Sequence, residues 1–161
     1  MRPSASRRAL LRGLVLAPLA WLARAPRAEA KDYSGPAEVL DTIDAFEADV
    51  ASRLTAVAAG LASARPLASS FLADHARHRG VRVMVRRRLR LAAPHAPAAV
   101  QPDRSLDNLR SAQEALVYAH AEGLPALDDA PSVEALARNM VDLARHLAVI
   151  DLWLEAEAAR G

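Results

Sequence analysis

Apolar residues recur at spacings of three and four along four stretches of the chain, the period of a helix with one buried face. The first stretch runs over about 36–64, with Val39, Leu40, Ile43, Phe46, Val50, Leu54, Val57 and Leu61 on one stripe. Pro36 suits its first turn and Pro66 ends it. The second covers about 66–92, with Leu67, Phe71, Val81, Val85 and Leu89. The third spans about 105–124, with Ser105 as N-cap and Leu106, Leu109, Leu116 and Val117 turned inward. The fourth starts from an expected N-cap at Ser132 and reaches about 159, with Leu136, Met140, Leu143, Leu147, Ile150 and Leu154. Glu134 would then favour the first-turn dipole. No segment alternates with the period of two that a half-buried strand needs.

The expected fold is therefore an all-α four-helix bundle. Short turns join helices 1 to 2 and 3 to 4, whereas helices 2 and 3 are joined by the Pro-rich stretch APHAPAAVQPD, 93–103. Two antiparallel hairpins with one longer crossover fit that spacing, and an up-and-down bundle is the competing topology. Ala, Leu, Arg and Val dominate and aromatics make up only 4%, which suits helices packed closely through small side chains.

The first 30 residues read differently. Ser6-Arg7-Arg8-Ala9-Leu10-Leu11-Arg12 matches the twin-arginine export motif, and an apolar core from Gly13 to Ala23 follows. That core is shorter than the roughly 20 residues a spanning helix needs. Ala28-Glu29-Ala30 is a small-x-small cleavage site. The expectation is a twin-arginine signal peptide over 1–30, a mature domain over 31–161, a periplasmic location and no transmembrane segment after cleavage. The whole chain carries a formal charge of +2, but residues 1–30 hold six Arg and one Glu. What remains is 15 basic and 18 acidic residues, a formal −3, so net charge lends no support to nucleic-acid binding. The chain has no Cys, which leaves a core of packed side chains and no thiol chemistry.

Candidate chemistry sits in a repeated pattern. Asp74-His75-Ala76-Arg77-His78 on helix 2 and Asp142-Leu143-Ala144-Arg145-His146 on helix 4 both read D-x-A-R-H. Helix 1 places Glu47 within its apolar stripe, four residues after Ile43 and three before Val50. His78 lies seven residues from both Phe71 and Val85, on the buried stripe of helix 2. At 100° per residue, His146 stands about 80° from the centre of its stripe and Asp142 about 120°, outside the core. On helix 3, Glu114 points away from the stripe, and Gln113 and His120 are the inward polar residues.

In these features residues 36–160 resemble a ferritin-like domain, in which paired E-x-x-H motifs on helices 2 and 4 and a Glu on each of helices 1 and 3 hold two metals. The resemblance implies dioxygen activation or iron oxidation for an intact site. Here the motif is degenerate: the residue three before His78 is His75, and the one three before His146 is Leu143. The candidate ligand set is Glu47, Asp74, His75, His78, Gln113, His120 and His146. It holds too few carboxylates to neutralise and bridge two cations, and is better matched to one Fe, Cu or Zn ion. Met84 and Met140 could serve a haem between helices, but core filling is the simpler use.

Helix 2 also carries Arg77, Arg79, Arg82, Arg86, Arg87, Arg88 and Arg90. Arg86, Arg87 and Arg88 could meet an anionic partner. The alternative, favoured because charge runs usually form paired faces, is pairing with Glu38, Asp41, Asp44, Glu47 and Asp49 of helix 1. No aromatic side chains interleave with these Arg, which argues against single-stranded nucleic acid. There is no Gly-rich phosphate loop, nucleophile elbow or haem-attachment motif. The sequence therefore favours an exported accessory or binding protein without a di-iron centre over an enzyme. A metal-binding or metal-oxidising protein with a reduced His/carboxylate site is the alternative.

Overall fold

A computed structural model describes residues 32–94 and 104–159; the leader reading, over 1–30, lies outside them. Residues 31–161 group as one compact unit. Among the described residues there are four α-helices and no strand: α1 (Pro36–Gly60), α2 (Arg65–Arg88), α3 (Leu106–Gly123) and α4 (Ala130–Ala158), with a short 3-10 turn, Leu124–Ala126, between the last two. α1 packs on α2 and α3, and α4 packs on the same two helices, as in a bundle whose diagonals are α1/α4 and α2/α3.

The helix ends show where local chemistry prevails. α1 stops at Gly60, short of 64, because Leu61 turns extended while its N–H bonds to the Val57 carbonyl. α2 stops at Arg88 rather than 92. Arg90 takes a left-handed conformation (φ 55°), its N–H bonds to the Arg87 carbonyl, and the Leu91 N–H bonds to the Arg86 carbonyl. This is a Schellman ending with Arg in the position that glycine prefers. Arg90→Gly is expected to raise stability by about 1 kcal/mol by relieving the Cβ penalty, as read from the urea midpoint.

Ser105 caps α3, its hydroxyl accepting from the Asn108 N–H. α4 begins two residues before the expected Ser132. Asp129 is its N-cap, accepting from both the N–H (3.0 Å) and the hydroxyl (2.5 Å) of Ser132. A carboxylate satisfies two donors at once, and Pro131 is tolerated in a first turn, where its missing N–H costs nothing.

The core has an apolar region and a polar one. Leu40, Val85, Leu127 and Leu136 form an apolar cluster, flanked by Val81, Leu89, Leu124 and Val133. α1 and α3 approach closely at Gly123, which faces Val39. A Cβ added to Gly123 would stand 2.5 Å from Val39 Cγ1, so glycine is required for that approach.

The stripes of α1, α3 and α4 are mainly buried as expected, but Phe46, at the margin of its stripe, is 37% exposed. α2 differs most. Its buried face is Ala68, Phe71, His75, His78, Arg82, Val85 and Arg86, while Leu67, Val81 and Leu89 are only half-buried. The acids of α1 explain this orientation. Asp41 pairs with Arg86 (2.6 Å), Asp44 with Arg86 (2.8 Å) and Arg82 (2.6 Å), and Glu47 with Arg82 (3.2 Å). Arg86 is therefore buried and spent inside the protein, which removes it from the expected anion-binding trio. Arg88 pairs with Asp129 at 2.7 Å, and Arg87 is exposed. Met84 is 60% exposed and Met140 half-buried, so Met84 is not core filler and does not face an interior haem.

Candidate metal centre

The polar region of the core is built from all four helices. α1 contributes Glu47, α2 contributes His75 and His78, α3 contributes His120 and α4 contributes His146, and each is no more than 5% exposed. One donor atom from each of Glu47, His75 and His78 lies within 4.8 Å of the other two. The rings of His75, His78 and His146 form a triangle, with centroid separations of 5.8, 5.5 and 6.3 Å. Phe71 stacks on His146 at 3.9 Å and fixes the plane of that ring.

The hydrogen bonds determine where the lone pairs lie. His75 Nδ1 is 2.8 Å from Glu47 Oε1. The carboxylate can only accept, so Nδ1 carries the proton and Nε2 keeps its lone pair. His120 Nδ1 donates to the Leu116 carbonyl at 2.9 Å, and His146 Nε2 donates to Asp74 Oδ2 at 3.0 Å. The remaining nitrogens, His75 Nε2, His120 Nε2 and His146 Nδ1, are buried without a hydrogen-bond partner. Neither ring nitrogen of His78 has one either: Nδ1 is 3.8 Å from Glu47 Oε1 and Nε2 is 3.6 Å from Asp142 Oδ2, both too long for a hydrogen bond. Unpartnered buried polar atoms are uncommon in folded proteins and call for an explanation. A neutral imidazole with one N–H anchored and the other nitrogen bare is the arrangement of a metal-ligating histidine.

The electrostatics favour the neutral form of His78, His120 and His146. Burial pushes His120 down to about 4 and does the same to His146, against the opposing pull of its Asp74 hydrogen bond. His78 is lowered as well, chiefly by burial. For Glu47, burial would raise the pKa, but the His75 hydrogen bond and the Arg82 charge outweigh it and hold the carboxyl below its usual value. Burial opposes ionisation of Asp74 too, and hydrogen bonds from His146 and Arg77 overcome it.

The candidate residues thus divide into groups. Glu47, His75 and His78 come together as donors. His146 completes a ring triangle with the two histidines, and Asp74 orients His146 rather than facing His78. His120 is fully buried, and its titration feels both Glu47 and His78. Gln113 is occupied otherwise: its Nε2 donates to the Leu143 carbonyl at 3.0 Å and holds α3 to α4. Glu114 pairs with Arg110 away from the centre. Sequence reasoning set Asp142 outside the core, and its side chain is one-third exposed, although it reaches to 3.6 Å of His78. Arg82 was not among the candidates, yet it is 2% exposed and borders Glu47. Its i+4 spacing from His78 was the available signal.

A cleft of about 400 Å³ opens between α1 and α2. Glu47 and His75 are in its wall, with Asp44, Arg79, Arg82 and apolar residues including Leu72 and Ala76. No helix among the described residues is long and apolar enough to cross a membrane. No family model, no curated protein and no solved structure matches the chain.

Proposed function

We propose that the chain is an exported bundle protein of ferritin-like layout whose polar core holds one transition-metal ion on Glu47, His75 and His78. The observation that carries this is the convergence of three buried donors within 4.8 Å, with His75 Nε2 and both ring nitrogens of His78 left without a hydrogen-bond partner. A nitrogen-rich set with one carboxylate suits Zn, Cu or Fe. Bonds of about 2.0–2.2 Å require the donors to draw inward, and the His75 ring must leave its Glu47 hydrogen bond to turn a free nitrogen toward the same ion. Nuclearity follows from charge. Arg82 stands beside Glu47, where a dinuclear centre would need a second cation, and the core lacks the further carboxylates that would neutralise it. The ferritin-like layout is supported by the pairings. Across α1 and α2, rising numbers meet falling ones (41 with 86, 44 with 82, 47 with 75), and across α3 and α4 the same holds (110 with 151, 113 with 143). Both series fit antiparallel hairpins, and the diagonal position of α2 and α3, consecutive along the chain, favours a crossover between hairpins over an up-and-down order. Export rests on the sequence of residues 1–30, and the periplasmic location follows from it.

A second reading, a metal-free accessory protein, is favoured by the existing partners of Glu47, His75 at 2.8 Å and Arg82 at 3.2 Å. Elemental mass spectrometry on untagged protein from an exporting host separates the two. About one equivalent of metal is expected, falling to a trace in His75→Ala/His78→Ala. Equal metal content in wild type and the double variant would sink the ligand assignment.

A further inference from the structure

The cleft beside the metal centre has a composition of its own. Its wall is apolar along Ala48, Ala51, Leu72 and Ala76, and charged at Asp44, Glu47, Arg79 and Arg82. Asp44 is already committed to Arg82 and Arg86. Arg79 is exposed and has no ion pair among the described residues. Arg82 is 2% exposed, and its Nη1, though 3.2 Å from Glu47, is not aligned to donate a hydrogen bond to it. One cation thus stands exposed in the cleft and another is held within it. Without a metal the four charges cancel; a divalent ion on Glu47 and His75 makes the cleft positive. A volume of about 400 Å³ falls in the lower part of the range that small-molecule sites occupy.

We propose that this cleft seats a small carboxylate with a short apolar body. The head lies between Arg79 and Arg82 on the side facing the metal, and the body lies along Leu72 and Ala76. Planar guanidinium groups recognise carboxylates through paired N–H donors. A centre with three protein ligands leaves a coordination position for an incoming oxygen. The inference rests on the metal reading of Glu47, His75 and His78 for its strength, and on the cleft for its place.

The test loads the full chain with Co(II), titrates benzoate and follows the visible bands of the metal, with benzyl alcohol as the neutral control. Saturable band shifts with benzoate alone are expected. Arg79→Gln should weaken binding roughly tenfold, the worth of one charge-assisted hydrogen bond. Ala76→Trp, a substitution at an exposed helix position in the cleft wall, should abolish binding while Co(II) is retained. Bound Co(II) whose bands ignore benzoate would overturn the proposal. If Co(II) does not bind, the metal reading fails separately. Benzoate-induced amide shifts at Leu72 and Ala76 of the metal-free protein, lost in Ala76→Trp, would then sustain the cleft as a carboxylate site, and their absence would overturn it.

Discussion

Acidification from pH 7 to about 4 should unfold the metal-free protein. His120 and His146 have pKa values of about 4 in the folded state and ordinary values near 6.5 in the unfolded chain. Between those values the unfolded chain binds protons that the folded one refuses, so stability falls as pH falls through the window. A drop from 6.5 to about 4 is worth roughly 3 kcal/mol per ring. Two such rings remove about 6 kcal/mol, comparable with the whole stability of a domain of this size. Glu47 and Asp74 act in the same direction. Both are held below their usual values, so the stability they lend is present at neutral pH and lost as they take up protons. Urea unfolding at pH 7, 5.5 and 4.5 measures the slope, and His120→Leu should flatten it by removing one ring. A midpoint that stays constant across that range would show the rings to be solvated.

Replacing Arg82 by methionine should cost about 3–5 kcal/mol, the penalty for stranding a buried charge. Arg82 is 2% exposed and lies 2.6 Å from Asp44 and 3.2 Å from Glu47. Methionine preserves much of the side-chain length but leaves Glu47 with His75 and Asp44 with Arg86. Arg88→Met provides the comparison. That side chain is 55% exposed and pairs with Asp129 at the surface, so its loss should cost no more than about 1 kcal/mol. Adding Glu47→Gln to Arg82→Met should restore part of the stability, because both members of the pair are then neutral. Denaturant unfolding of the four variants in the cycle reads this coupling directly. An Arg82→Met protein within about 0.5 kcal/mol of wild type would mean that the pair is in effect solvated.

The polar core explains why these effects are large. Most bundles of this size fill their centre with aliphatic side chains. Here α2 turns inward a face of histidine and arginine, and the acids of α1 meet it. Burial by itself would make that face costly. The ion pairs offset part of the cost, and the bare imidazole nitrogens leave the remainder unmet within the protein.

Much of this was legible along the chain. Four helices follow from local periodicity, since apolar spacing of three and four positions a stripe whatever the neighbours are. The Ser105 cap was legible because a hydroxyl before an apolar stripe accepts from a free N–H of the first turn; most of the Pro-rich stretch lies outside the described residues. The anticipated match between the acids of helix 1 and the arginines of helix 2 appears as Asp41, Asp44 and Glu47 against Arg82 and Arg86. Less legible were the features that depend on competition between close alternatives. Asp129 displaced Ser132 as a cap because it accepts two hydrogen bonds.

Which donors meet was decided by the tertiary structure alone. His75 and His78 are about 60° apart on the helix wheel. Sequence could place both near the interior face of α2 but could not assign their neighbours. The packing of α2 against α1 puts His75 on Glu47, 28 positions away, and its packing against α4 puts Asp74 on His146, 72 positions away. Those bonds fix the tautomers and leave the lone pairs bare. Helical periodicity is a property of neighbours in sequence. The direction of a buried lone pair is a property of neighbours in space, and it exists only once the helices have packed.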